Sequence, residues 1–228
     1  MTDLERLAAA RRLVDEARNV VVFTGAGMSA ESGVPTFRDS LTGLWATFDP
    51  ASLATPEAWR ADRALVWSWY ASRVQSAHAV APHAGHMAVA ELARRKAGTG
   101  GRVDVITQNV DDLHERAGVA PVIHLHGSLF APRCDTCGAS VPVECATNSE
   151  LPQCAVCPGK VRPGVVWFNE PLPADAWLAA ESAFADAALV VVVGTRGVVY
   201  PAASLPAAAA HRGVSVIEIN PEPSELLG

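Results

Sequence analysis

Apolar residues fall along this chain in two rhythms. Short runs rich in valine, Asn19-Val-Val-Val-Phe-Thr24, Val103-Asp-Val-Ile-Thr107, Val122-Ile-His-Leu-His126, Leu189-Val-Val-Val-Val193 and Val214-Ser-Val-Ile-Glu-Ile219, have the length and β-branched content of buried strands. Val165-Val-Trp-Phe168 repeats that pattern more briefly. Elsewhere the spacing is helical: Leu4, Leu7, Val14 and Ala17 predict a helix over 2–17, opened by Thr2 and Glu5 at capping-box spacing. Residues 83–95 read as another helix, ended by Gly98-Thr-Gly-Gly101, and a short one starts near Asp111. Residues 40–80, with Trp45, Trp59, Trp67 and Trp69, show no strand alternation and read as helices and loops. Strands alternating with helices predict an α/β fold, a Rossmann-like parallel sheet with helices on both faces.

Composition narrows the setting. A chain of 228 residues can bury one good core with room for a small satellite module. No apolar run approaches the roughly 20 residues of a membrane-spanning helix. The first residues carry acidic and basic groups at helical spacing, unlike a leader sequence, so a cytoplasmic protein without membrane contact is expected. A net charge of −6 argues against nucleic acid as a direct ligand. Lys96 and Lys160 are the two lysines beside sixteen arginines, a bias read as genome composition.

Cysteine usage changes the picture more. Cys134-x-x-Cys137 and Cys154-x-x-Cys157 stand 16 residues apart, the spacing of a four-thiolate zinc site, with disulfides or free thiols as the alternatives. Four thiolates close the coordination sphere, so the expected role is structural. Cys145 has no partner cysteine at metal spacing, and His78, His83 and His86 lie among alanines without an accompanying cysteine or carboxylate, so no second metal is expected.

Gly25-Ala26-Gly27-Met28-Ser29-Ala30 follows the first predicted strand and matches G-x-G-x-x-G/A, in which glycines let the backbone approach a pyrophosphate. An ordinary dinucleotide domain continues as a helix and a second strand. Here Glu31-Ser-Gly-Val-Pro-Thr-Phe-Arg38 follows, and Pro35 interrupts a helix.

The stretch Gly25–Arg38 resembles the signature loop of the sirtuins. The resemblance continues in order through Gln108-Asn109-Val-Asp111, His126-Gly127, the two cysteine pairs, Gly194-Thr195 and Asn220-Pro221, essentially the whole chain. It implies NAD-dependent removal of acyl groups from protein lysines, giving nicotinamide and O-acyl-ADP-ribose, with NAD and one structural zinc ion. The resemblance makes His126 the base near the ribose hydroxyls, with Asn109 and Asp111 in the nicotinamide pocket and Gln108 on ribose. Gly25, Ala26, Gly27, Ser29, Ala30, Phe37 and Arg38 would line the cofactor, and Gly194, Thr195 and Asn220 would meet its phosphates and adenosine. His124, two residues before His126 and so on the same side of a strand, is expected to be a structural neighbour.

Tyr70 and Arg73 are three apart on a helix, and an arginine beside a tyrosine hydroxyl can bind a carboxylate. Leu53-Ala-Thr-Pro56 followed by Tyr70-x-x-Arg73 resembles the sirtuins that remove acidic acyl groups, with Ala54 making room for a longer chain. Val166, Trp167 and Phe168, with Gly197–Val199, are expected to flank an extended acyl-lysine peptide by strand pairing. The expected division is a Rossmann-like NAD-binding domain over 1–40, 82–131 and 163–228, a helical insertion carrying the acyl pocket over 41–81, and a zinc module over 132–162, acting as a monomer.

Three features depart from the family pattern. Asp39 follows Phe37-Arg38 where glycine is usual. Arg196 stands where serine is common, able to pair with a phosphate or to obstruct the ribose, and the sequence stops at Gly228, where relatives run on near adenine. The alternatives are a plain deacetylase, a mono-ADP-ribosyltransferase, or a non-catalytic NAD- or ADP-ribose-sensing zinc module. The joint presence of His126, Asn109 and Asp111 disfavours the last, because a sensor needs no base.

Overall fold

A computed structural model describes residues 2–34, 52–222, 224 and 225. Its centre is β1 (Asn19–Thr24), whose side chains alternate between two buried faces. Strands β2 (Arg102–Thr107), β3 (Val122–His124), β6 (Leu189–Val193) and β7 (Ser215–Ile219) join it in the order β3-β2-β1-β6-β7, every pairing parallel. Two-residue strands β4 (Arg133–Cys134) and β5 (Val161–Arg162) pair separately and antiparallel.

Helices cover both faces of the main sheet. On one, Val20, Val22, Val105, Leu189 and Val191 pack with Leu13 and Val14 of α1 (Asp3–Glu16) and with Val89 and Ala90 of α5 (Ala84–Gly98). On the other, Val21, Phe23, Ile106, Val190 and Val192 meet Ala180, Ala183 and Phe184 of α7 (Ala174–Ala185) and Leu205 and Ala209 of α8 (Ser204–His211). Each such buried valine or phenylalanine contributes about 1.5–3 kcal/mol, so β1 alone, with four, anchors both layers. Short helices α2 (Gly27–Ala30) and α6 (Leu113–Arg116) follow β1 and β2.

A third apolar cluster lies beside the sheet. It joins α3 (Pro56–Ala61) and α4 (Arg63–Ala79) to Leu129, Ala146, Val161, Val165 and Trp167. The start of each helix is fixed by its cap: Thr55 accepts from the Ala58 amide at 3.1 Å, with Pro56 in the first turn, and Asp62 accepts from Leu65 at 2.9 Å. None of the described helices is long and apolar enough to cross a membrane.

The expected α/β sheet is observed, with local differences. The strand expected over 122–126 ends at His124, because its partner β2 ends at Thr107 and the chain then turns through Gly127 at φ +70°. Val165–Phe168 is not a strand. Only Val165 bridges Gly127, while the Val166 and Phe168 amides go to the His126 and Ala54 carbonyls. The capping box of α1 forms as expected, yet Leu4 and Leu7 are exposed and only the C-terminal end of the helix packs. That end is held by Lys96, whose Nζ donates to the carbonyls of Val14, Asp15 and Ala17 at 2.5 to 3.1 Å.

Beneath the sheet's C-terminal edge, His83, His86 and His114 stack edge to face, with centroids 4.4 and 4.9 Å apart. Burial, then the neighbouring histidines, push His86 down to about 3; burial pushes His114 down to about 4. Above the ordinary value of 6.5 both are neutral whether folded or not. Below it the unfolded chain takes up protons that the folded chain refuses, so stability falls as pH drops toward 4. The melting temperature is therefore expected to decline between pH 6.5 and 4, and the decline should be shallower in His86→Leu. Parallel pH curves for the two proteins would contradict this origin.

Candidate active site

The strand order reverses between β1 and β6, and open α/β sheets collect ligands at that crevice, beyond the strands' C-terminal ends. Here the turns after the two strands interlock through glycine. The Gly27 amide donates to the Gly194 carbonyl at 2.9 Å, Gly25 to Val193 at 3.0 Å, and Gly194 to Ile219 of β7 at 3.1 Å. Gly194 has φ +64°, and a Cβ there would lie 2.2 Å from the Met28 nitrogen. The space a side chain would fill is absent, and bare backbone lines the crevice, which suits a pyrophosphate. Ala26 is half-buried beside this turn and Ala30 is exposed at the far end of α2. Phe37 and Arg38, with Pro35, Asp39 and Trp45, lie outside the described residues.

One polar chain links the residues around these turns. Gln108 Nε2 donates to Thr195 Oγ1 at 3.2 Å, and Asn220 Nδ2 donates to the Thr195 carbonyl at 2.9 Å and to Glu218 at 2.6 Å. Arg196 pairs with exposed Glu222 at 3.0 Å. Deeper, the Ser29 hydroxyl donates to Asp111 Oδ2 at 2.9 Å and accepts from Asn109 Nδ2 at 3.0 Å. All three are buried, and burial raises the Asp111 carboxyl above its usual range against the bonds from Ser29 and Leu113. Beneath them Thr24 donates to Thr107 at 2.8 Å and meets His114 Nε2 at 3.2 Å. Thr107 in turn accepts the Asn109 amide at 3.0 Å.

The same turn separates two histidines electrostatically. His126 Nδ1 faces the Gln108 carbonyl at 3.0 Å, a pure acceptor, so the neutral ring carries its proton there and leaves the Nε2 lone pair. Burial holds its pKa below 6.5. His124 makes the equivalent bond to the Asn109 carbonyl at 3.0 Å, but its Nε2 meets Glu115 Oε1 at 2.6 Å. Burial alone would lower His124; the Glu115 carboxylate and the Asn109 carbonyl outweigh it and raise the pKa. Two flanking acceptors favour the protonated form of His124, whereas burial favours a neutral His126 ring with a lone pair to offer.

Tyr70 and Arg73 share one face of α4 in the aromatic cluster. Tyr70 Oη accepts from Trp167 Nε1 at 3.1 Å, and burial pushes its pKa up to about 12, so it keeps its proton to donate. The Arg73 guanidinium lies 5.0 Å from the Trp69 ring centroid. Its pKa is lowered by burial, while Tyr70 and Asp111 act the other way, which places the cation within electrostatic reach of the buried polar cluster. Ala54 is buried in the same cluster. Trp167 is 2% exposed, so it lines this cluster and not a peptide surface. The Val166, Trp167 and Phe168 amides are spent on His126, Glu170 and Ala54, and the Trp167 carbonyl accepts the Glu170 amide, so the Val166 and Phe168 carbonyls are the groups through which that segment can pair. Phe168, Val198, Val199 and Tyr200 are exposed.

The four expected cysteines come together. Sγ separations are 3.5 Å for Cys134–Cys157 and 3.8 Å for Cys137–Cys154, and all four sulfurs lie within 4.8 Å. Thiolates around tetrahedral zinc, at about 2.3 Å from the ion, would be about 3.8 Å apart, so the tetrad fits one structural ion. Amides of Thr136 and Cys137 point at Cys134 Sγ, Val156 at Cys154 and Gly159 at Cys157, each favouring a thiolate. Glu115 and Thr107 carry no signal in the sequence, and Trp167 is expected there only beside a peptide; their neighbours in space give all three a different role.

A family model described as the Sir2 family matches residues 25–201. A Pseudomonas aeruginosa protein named NAD-dependent protein deacylase 1 is 52% identical, covering 95% of this chain and 88% of its own length. A Corynebacterium glutamicum NAD-dependent protein deacylase is 48% identical, covering 94% and 84%. Among solved structures, a Sir2 homolog–NAD complex superposes with a TM-score of 0.89 at 46% identity, covering 99% of this chain and 85% of the other. Sir2Tm bound to a propionylated peptide superposes with a TM-score of 0.80 at 28% identity, covering 98% and 89%.

The interlocked glycines yield a direct expectation. Gly194→Ala should weaken NAD binding, measured by calorimetry, by at least about tenfold, because φ is unfavourable and the new Cβ would drive the Met28 backbone away. Wild-type affinity in that variant would show that the two turns need not touch.

Proposed function

This chain belongs to the Sir2 family and is an NAD-dependent protein deacylase, and from that premise we propose that it prefers lysines carrying succinyl or malonyl groups to acetyl-lysine. The observation that carries this reading is the Tyr70–Arg73 pair: a neutral hydroxyl and a partly buried guanidinium on one helix face, beside Ala54 in the aromatic cluster. A cation drawn out of water is costly, and a carboxylate at the end of the acyl chain offsets that cost where an acetyl methyl does not.

His126 acts as the base. Its Nδ1–H is committed to Gln108, so Nε2 takes a proton from a ribose hydroxyl of bound NAD. Asn109 and Asp111, oriented by Ser29, form the nicotinamide pocket, while Gln108, Thr195 and Asn220 hold ribose and adenosine. Bound NAD supplies the ribose carbon that loses nicotinamide and receives the acyl oxygen. The segments around Phe168 and Val198–Val199 receive the peptide, whose acyl-lysine side chain reaches the pocket between them. A net charge of −6 favours protein over nucleic acid as the target, and four cysteines kept as metal ligands suit a reducing cytoplasm. A peptide held through its backbone leaves its side chains largely unread, which favours many targets.

The test is turnover of one peptide bearing acetyl-, succinyl- or malonyl-lysine. Arg73→Met should lower kcat/KM for the acidic groups by about tenfold to a hundredfold, the worth of a charged hydrogen bond, with acetyl turnover little changed. Acetyl preference indifferent to Arg73 would leave a deacetylase and discard the pocket. His126→Tyr should abolish nicotinamide release from every peptide. Because His126 is held below 6.5, the acid limb of kcat/KM should have its midpoint below pH 6.5; a midpoint at or above that value would exclude it as the base.

A further inference from the structure

Trp167, the indole that holds the Tyr70 hydroxyl, is itself held from the zinc module. The Arg162 guanidinium, on β5, lies 3.6 Å from the Trp167 ring centroid and is fixed by two bonds to Glu170 at 2.6 and 2.8 Å. Glu170 also accepts the Trp167 amide at 2.9 Å. Trp59 of α3 meets Trp167 with centroids 5.7 Å apart. The Trp59 indole nitrogen donates to Asp135 Oδ2 at 3.2 Å, and Arg63 reaches the same oxygen at 3.4 Å. Asp135 lies between the ligands Cys134 and Cys137, and its other oxygen accepts the Lys160 amide across the β4–β5 hairpin at 3.1 Å. The knuckle that binds the metal therefore also places the carboxylate that positions Trp59.

We propose that Asp135 and Arg162 are positioning residues through which the metal-bound module sets the place of the Tyr70 hydroxyl, and with it selectivity for acidic acyl groups. The inference rests on the reading of Tyr70 and Arg73 given above. Both routes converge on Trp167, whose single indole N–H donates to the Tyr70 oxygen. Two further bonds join the same modules, Trp67 Nε1 to the Asn148 carbonyl at 2.9 Å and Gln75 to Thr147 at 2.8 Å. Losing Asp135 should thus shift the Trp59–Trp167 pair without separating α4 from the module.

The experiment is a double-mutant cycle of Asp135→Ala and Trp59→Phe in the zinc-loaded full chain. Zinc per chain is measured with a chromogenic chelator, and KM is measured for NAD, succinyl-peptide and acetyl-peptide. Each single variant should raise KM for the succinyl-peptide about fivefold, the worth of one lost hydrogen bond, and the double variant no further. KM for NAD, KM for acetyl-peptide and zinc content should stay at wild-type values, and Asp135→Asn, which keeps an acceptor for the indole, should restore succinyl KM. Trp59→Phe leaves every zinc ligand and its neighbours intact, so it reports on the coupling even if Asp135→Ala folds poorly. Additive effects, an equal loss for acetyl, or succinyl KM unchanged in Trp59→Phe would overturn the proposal. If wild type prefers acetyl and ignores Arg73→Met, the substrate reading itself fails, a result separable from the cycle.

Discussion

Everything at the reactive edge of this molecule depends on two backbone turns touching. β1 and β6 are neighbours in the sheet, and the chain beyond each must turn away within a few ångströms of the other. Only glycine at 27 and 194 allows the 2.9 Å amide-to-carbonyl bond between them. That bond fixes Met28 and Ser29, Ser29 orients Asn109 and Asp111, and the polar cluster inherits its geometry from a contact that contains no side chain.

A second constraint is that the β2 turn offers carbonyls in pairs. Gln108 and Asn109 each hold a histidine by Nδ1, so tautomers are set by backbone geometry. What differs is the far side of each ring. Glu115 favours the protonated form of His124, while burial favours the neutral form of His126. Equivalent backbone support thus yields one imidazole tied on both sides and one with a lone pair to offer, decided by a carboxylate nine residues away in sequence.

The strands were legible because each is buried on both faces and so carries an unbroken apolar run. The glycine loop, the Cys-x-x-Cys spacing and the His-Gly pair were legible because their chemistry fixes residue type at short separation. Helix α7 was not singled out, since an alanine-rich face dilutes its Trp177, Ala180 and Phe184 spacing. Val165–Phe168 looks like a strand in composition, yet its amides are claimed by loops from distant parts of the chain. Trp167 was expected beside a peptide for the same reason; its burial against Tyr70, Trp59 and Arg162 depends on contacts up to about a hundred residues apart, which no local pattern records.

Lys96 illustrates a further economy. Its ammonium is locked onto three carbonyls at the end of α1 and is almost fully withdrawn from solvent. Reactive acyl donors modify accessible amines, and this one is spent on three backbone carbonyls and shielded from solvent. With arginine elsewhere on the surface, Lys160 is the one remaining lysine side chain in the chain. A protein that strips acyl groups from the lysines of others thus carries almost none on which the same damage could accumulate.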